Sequence, residues 1–177
     1  MKELNLPNTL TIFRILALPF CAYALFKNGG DDDSWRIIAF TLFFIVGLSD
    51  ILDGKIARSR NQITEFGKLL DPIADKAMLA TASIAASLLG MLSWWVTAIF
   101  LIREIAVTIL RFAVIKNGVI PASKGAKLKT FFQNFSVGFY ILPLPSYLNL
   151  PRDLFTAVAV YLTITTGVDY FRKVFRK

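Results

Sequence analysis

Apolar runs of about 20 residues recur along this chain, each long enough to cross roughly 30 Å of hydrocarbon as a helix. The chain has 177 residues and is 55% hydrophobic. A water-soluble fold made from these runs would need helices that are hydrophobic all round, with almost no polar faces. The runs therefore predict an all-α integral membrane protein, a single domain over residues 1–177. Six transmembrane helices are expected, at about 8–26, 35–58, 67–90, 93–116, 129–147 and 152–172.

The punctuation between the runs agrees with that division. Pro7 suits a helix start, with Asn8 or Thr9 as cap. Asn28-Gly29-Gly30 and the three aspartates after it read as a loop, with Ser34 the expected cap of the second span. Gly90 and Ser93 mark a tight turn, Gly118 and Pro121 open a longer basic connection, and Pro143, Pro145 and Pro151 break the chain before the last span. Met1 to Pro7 lacks the basic region, short apolar core and cleavage site of a removable signal, so the first span is expected to be retained. Cys21 stands alone inside that span and reads as a small packing residue.

Lys and Arg set the expected orientation. Placing both termini and the second and fourth connections on one side gathers Arg58, Arg60, Lys68, Lys116, Lys124, Lys127, Lys129, Arg172, Lys173, Arg176 and Lys177 there. The opposite side keeps Lys27, Arg36 and Arg152 beside the acidic run at Asp31, Asp32 and Asp33. Both termini are thus expected in the cytoplasm, with the protein in a bacterial-type inner membrane. The net charge of +8 fits an anionic lipid surface and calls for no nucleic acid.

Against this apolar background, four carboxylates demand an explanation. Asp50, Asp53, Asp71 and Asp75 lie in or against spanning stretches, where a carboxylate costs several kcal/mol without a partner or a task. Asp50, Asp53, Gly54 and Ala57 share one helical face, and Gly67, Asp71 and Asp75 share another. Gly54 and Ala57 remove bulk beside the carboxylates, and Arg58 follows where it can meet a phosphate. Converging oxygen donors with no histidine in the chain suit a hard divalent cation, Mg²⁺ or Mn²⁺. Any acid–base chemistry there would fall to a carboxylate. The bland alternative is a set of structural ion pairs with Lys55, Lys68 or Lys76.

Asp50-x2-Asp53-Gly54-x2-Ala57-Arg58-x8-Gly67-x3-Asp71-x3-Asp75 resembles, at every fixed position, the signature of the CDP-alcohol phosphotransferases. That family moves a phosphatidyl or related phosphoryl group from a CDP-linked donor to an alcohol, with release of CMP. The resemblance implies that Asp50, Asp53, Asp71 and Asp75 hold the metal, with Asp75 also the general base on the acceptor hydroxyl. Asn8, Thr11, Asp50, Asp53, Gly54, Ala57, Arg58 and Gly67 would line the site of the CDP-linked donor, CDP-diacylglycerol. The expected cleft is polar and opens to the cytoplasm.

Three further stretches bear on the acceptor. The opening Leu6-Pro7-Asn8-Thr9-Leu10-Thr11, with Arg14, resembles the start of the family's glycerol-3-phosphate branch, although Asn8 can equally cap and Arg14 snorkel. Arg103, Glu104, Thr108 and Arg111 on the fourth span, and Lys124, Lys127 and Lys129 in the connection before the fifth, resemble the same branch, as does Thr166-Gly167-Val-Asp-Tyr170. Ala126 departs from an expected glycine there. Arg103, Arg111, Lys127 and Lys129 are the expected ligands of an acceptor phosphate; the alternative pairs Arg103 with Glu104 or an aspartate, lets Arg111 snorkel to the cytoplasmic interface and leaves the lysines as ordinary cytoplasmic charge. A cationic surplus favours a phosphorylated acceptor over choline or ethanolamine. The expected substrates are CDP-diacylglycerol and glycerol 3-phosphate, and the products phosphatidylglycerol phosphate and CMP. Inositol phosphate, serine or phosphatidylglycerol are the alternative acceptors. A divalent-cation transporter is the rival of another class, opposed by Arg58 and the cytoplasmic lysines. Small residues on spans three and four can form a homodimer seam, as in relatives.

Overall fold

The computed structural model describes residues 6–59, 65–114 and 124–175, without the side chains of residues 6–8, 50–59, 65–69, 112, 114, 124 and 126. The described residues form six α-helices, joined in part by short 3-10 turns, and contain no strand. The helices are α1 Leu6–Phe26, α2 Asp33–Ser59, α3 Glu65–Leu88, α4 Trp94–Val114, α5 Lys124–Ile141 and α6 Asn149–Phe175. Each overlaps one expected span. Among the described residues, Thr9–Gly30 and Ser146–Phe175 are long and apolar enough to cross a membrane on length and composition alone.

α5 departs most from expectation. It begins at Lys124, so Lys127 and Lys129 sit on its first turns rather than in a connection. Lysine, alanine and leucine are good helix formers, and no proline interrupts them until Pro143. Pro143 and Pro145 then stop the helix short of the expected boundary, because the residue before a proline is driven out of the helical region.

The turns have identifiable chemistry. Asp32, not Ser34, caps α2: its Oδ1 accepts from the N–H groups of Ser34 at 2.9 Å and Trp35 at 3.2 Å. Those are the second and third residues of the helix, whose amides have no partner within it. Ser34 is already inside the first turn and cannot serve them. Asn28 Nδ2 donates to the other Asp32 oxygen at 2.9 Å. That bond, followed by the one from Trp35, holds the Asp32 carboxyl below its usual range. Its stabilising effect is therefore complete above the ordinary carboxylate pKa and fades as pH falls through the lowered value.

α3 ends in a Schellman turn. Met91 N–H donates to Ala86 C=O at 2.9 Å and Gly90 N–H to Ser87 C=O at 3.0 Å, with Gly90 at φ +71°. A side chain at Gly90 would strain that left-handed conformation. At the far end of α5, the Arg36 guanidinium from α2 donates to the carbonyls of Tyr140, Ile141 and Leu142 at 3.1, 2.9 and 3.0 Å. It satisfies acceptors that the helix end leaves open.

α1 packs against α2 and α3, α6 against α4 and α5, and α3 joins the two groups through contacts with α4 and α5. The core is rich in small side chains, including Cys21, Ala24, Ala39, Ala74, Ala82, Ala85, Ala86 and Ala159. Hydroxyl and amide pairs stitch the helices together: Ser87 to Thr97 at 2.7 Å, Ser136 to Thr156 at 2.8 Å, and Gln133 Nε2 to Thr163 Oγ1 at 3.0 Å. Large apolar side chains face outward instead, among them Phe13, Leu16, Phe20, Ile102, Ile105 and Ile109.

Candidate active site

Asp71 and Asp75 occupy one face of α3, a turn apart. α1 supplies a partner to each. Thr11 Oγ1 donates to Asp71 Oδ1 at 2.9 Å, and Arg14 Nη1 lies 3.6 Å from Asp75 Oδ1. The spacing explains the match: Thr11 and Arg14 are three apart on α1, Asp71 and Asp75 four apart on α3, so two helical faces meet. The Arg14 side chain is 0% exposed and that of Asp75 48% exposed. Arg14 therefore does not snorkel to an outer surface. It points inward and places a positive charge beside a partly exposed carboxylate.

Asp50, Asp53, Gly54, Ala57 and Arg58 lie on α2, Gly67 on α3 and Asn8 on α1, and their side chains fall outside the described residues. α2 runs as a helix through that segment, so the register of its Asp-x2-Asp-Gly-x2-Ala face holds, and α2 packs against both α1 and α3. Among the described residues no cluster of three or more metal-ligating side chains occurs. Two of the expected four carboxylates are outside that set. The donors expected here, all carboxylate oxygens, fit a hard divalent cation.

A second charged group lies where α4, α5 and α6 meet. Arg103 Nη1 donates to Glu104 Oε1 at 3.0 Å, and Lys129 Nζ pairs with the same oxygen. Arg103 Nη2 donates to Thr166 Oγ1 at 3.3 Å. Gly167 makes room for this, since a Cβ there would come within 3.3 Å of Arg103 Cγ. Lys129 is buried, whereas Lys127 is exposed. Arg111 is exposed and lies over the Tyr170 ring, 6.0 Å from its centroid. Thr108 Oγ1 donates to its own helix at Glu104 C=O, 2.6 Å away. Lys76 of α3 feels the charges of Glu104, Arg111, Asp75 and Arg103.

Of the four expected phosphate ligands, Arg103 and Lys129 are thus brought together through Glu104. Arg111 stands to one side on Tyr170, and Lys127 is apart. Sequence reasoning overlooked Arg14 as the partner of Asp75 and Glu104 as the junction of two helices. A charged residue buried in each of several apolar runs was the available signal; which charge met which depended on helix packing.

The pattern of the family described as CDP-alcohol phosphatidyltransferase matches residues 4–168. A protein named probable phosphatidylglycerophosphate synthase, from Mycobacterium tuberculosis, is 45% identical over 172 residues, covering 97% of this chain and 82% of its own length. Proteins named CDP-diacylglycerol–glycerol-3-phosphate 3-phosphatidyltransferase are similar as well. The one from Bacillus subtilis is 36% identical, with 96% of this chain and 94% of its own covered. That from Rickettsia typhi is 35% identical, with 95% and 96% covered.

Proposed function

The chain belongs to the CDP-alcohol phosphatidyltransferase family, and we propose that it transfers a phosphatidyl group from CDP-diacylglycerol to sn-glycerol 3-phosphate. The products are phosphatidylglycerol phosphate and CMP. The observation that carries the acceptor is the agreement of three bacterial relatives, each named for this product or this reaction and each matched along most of its length. The buried cations around Glu104 support it, because a phosphorylated acceptor neutralises them. Membership of an enzyme family removes the cation-transporter reading.

The six helices span a bacterial inner membrane as one domain, with both termini and the site on the cytoplasmic side. Support comes from an inverted polarity: Arg14, Lys129, Gln133 and Thr163 are buried while Phe13, Phe20, Ile105, Leu154 and Tyr161 face outward. Water would expose the first set, and lipid favours the second outside. The Lys and Arg asymmetry sets the orientation.

Within the site, Asp50, Asp53, Asp71 and Asp75 would hold one or more Mg²⁺ or Mn²⁺ ions. When bound, such an ion neutralises the diphosphate and stabilises the departing CMP phosphate. Thr11 orients Asp71 and Arg14 orients Asp75. Asp75 takes the proton from the glycerol hydroxyl that attacks the lipid-side phosphorus. Asn8, Gly54, Ala57, Arg58 and Gly67 line the donor pocket, and Arg103, Lys129 and Arg111 serve the acceptor phosphate, with Lys127 at its edge.

An acceptor panel tests the reading. Purified enzyme with CDP-diacylglycerol and Mg²⁺ is given glycerol 3-phosphate, inositol phosphate, serine or phosphatidylglycerol in labelled form. Lipid product from glycerol 3-phosphate is expected. Product from another alcohol alone would overturn the acceptor assignment while leaving the reaction class intact.

A further inference from the structure

The buried face of α1 forms a single seam. Thr11, Arg14, Leu18, Cys21 and Leu25 recur at intervals of three and four residues, and none is more than 4% exposed. Leu18, Cys21 and Leu25 are ordinary packing residues, whereas the two nearest the start of the helix are polar. A hydroxyl in a helix is easily served by its own backbone. That of Thr11 reaches across to α3 and donates to Asp71 Oδ1 at 2.9 Å. An ionised carboxylate only accepts, so the single hydroxyl proton of Thr11 lies on that bond. Thr11 then has only acceptor lone pairs to offer, which a nucleotide phosphate cannot use. α3 has a weak point at the same place. Pro72 directly follows Asp71 inside the helix. It has no N–H to give the carbonyl of Lys68, four residues back, so the ladder lacks a bond in the turn that carries Asp71. A side chain on such a turn gains most from a tether outside its own helix.

We propose that Thr11 is a positioning residue of the cation site: its hydroxyl presets Asp71 for a divalent ion and does not contact the nucleotide of the donor. The inference rests on the metal assignment above. It also reassigns Thr11, which the resemblance places in the donor pocket. Hydrogen-bonded partners behind metal ligands fix the orientation of those ligands, and their loss typically weakens metal binding about 10- to 100-fold. A carboxylate held in one rotamer before the ion arrives gives up less conformational freedom on binding it. Asp71 has lone pairs on both oxygens, so the bond from Thr11 leaves it competent as a ligand. The plain alternative is a tie between α1 and α3 that matters only to stability. The two differ in what they move. A tie moves the unfolding temperature, whereas a positioning residue moves metal affinity, and does so through Asp71.

Mn²⁺ titration of the purified full-length protein in detergent, read by electron paramagnetic resonance, separates them. Thr11→Val keeps the shape and removes the proton, and should weaken Mn²⁺ binding about tenfold. Thr11→Ser keeps the hydroxyl and should retain most of the wild-type affinity. Added to Asp71→Asn, Thr11→Val should weaken binding little further, because effects that pass through one residue do not add. With Mg²⁺ saturating, CMP used as a probe should bind Thr11→Val as it binds wild type. Wild-type Mn²⁺ affinity in Thr11→Val, whatever its unfolding temperature, overturns the proposal. A full further loss in the double variant overturns it as well. Weakened CMP binding at saturating Mg²⁺ also overturns it and returns Thr11 to the nucleotide. Should Thr11→Val fail to fold, Thr11→Ala and Thr11→Ser decide: both lose the methyl group, and equal Mn²⁺ affinities in the two overturn the proposal. Wild-type protein that binds no Mn²⁺ overturns the metal assignment and this inference together. Wild type that binds it, with the Thr11 variants unaffected, overturns the inference alone.

Discussion

Arg14 illustrates how much one side chain can hold in place. A buried guanidinium with no anion nearby would cost several kcal/mol, and breaking a buried pair by removing one partner typically costs about 3–5 kcal/mol. Asp75 answers that need while its own side chain stays partly exposed. The same carboxylate can therefore be held by Arg14 and still reach a substrate. Asp75→Asn keeps the shape and removes the proton acceptor. It should lower kcat by about 100-fold or more while the KM for CDP-diacylglycerol changes little, read by CMP release. Appreciable residual turnover would take the base role from Asp75. The aspartates stand out in the sequence because a carboxylate inside an apolar run has few innocent explanations, and of the four the described side chains place Asp71 and Asp75 against α1. Arg14 as partner was not legible there, because it lies sixty-one positions from Asp75 in the chain and only the packing of α1 on α3 brings them together. Arg103 with Glu104 was legible as a neighbouring pair. Lys129 joining them across helices was not.

At the scale of the elements, helix ends carry the most specific chemistry. Composition and proline placement located the six helices within a few residues. They misjudged the start of α5, where good helix formers extend the helix into a stretch that reads as connection. They also misassigned the cap of α2, since Ser34 and Asp32 are both competent caps and only the helix start decides between them. The Arg36 clamp had no sequence signal at all, because its acceptors are backbone carbonyls more than a hundred residues away. It ties α2 to the end of α5 on the side away from the expected site. Arg36→Met should lower stability by about 2 kcal/mol, the loss expected for charge-assisted bonds to carbonyls, with kcat and both KM values unchanged below the transition. A thermal unfolding curve in detergent reads this directly. An unchanged Tm would mean that water serves those carbonyls equally well.

The whole molecule inverts the usual distribution of polarity, and it does so around two polar centres rather than one. Asp71 and Asp75 of α3, partnered by Thr11 and Arg14 of α1, form the first. Arg103, Lys129 and Thr166 around Glu104 form the second, built from α4, α5 and α6. The account depends above all on α2 and α3 sharing a divalent ion between them. Mn²⁺ titration of the purified protein, followed by electron paramagnetic resonance, measures that without any turnover. Asp50→Asn on α2 and Asp71→Asn on α3 should each weaken Mn²⁺ binding by about tenfold or more. Wild-type affinity retained in either variant would contradict the claim that both helices hold the ion.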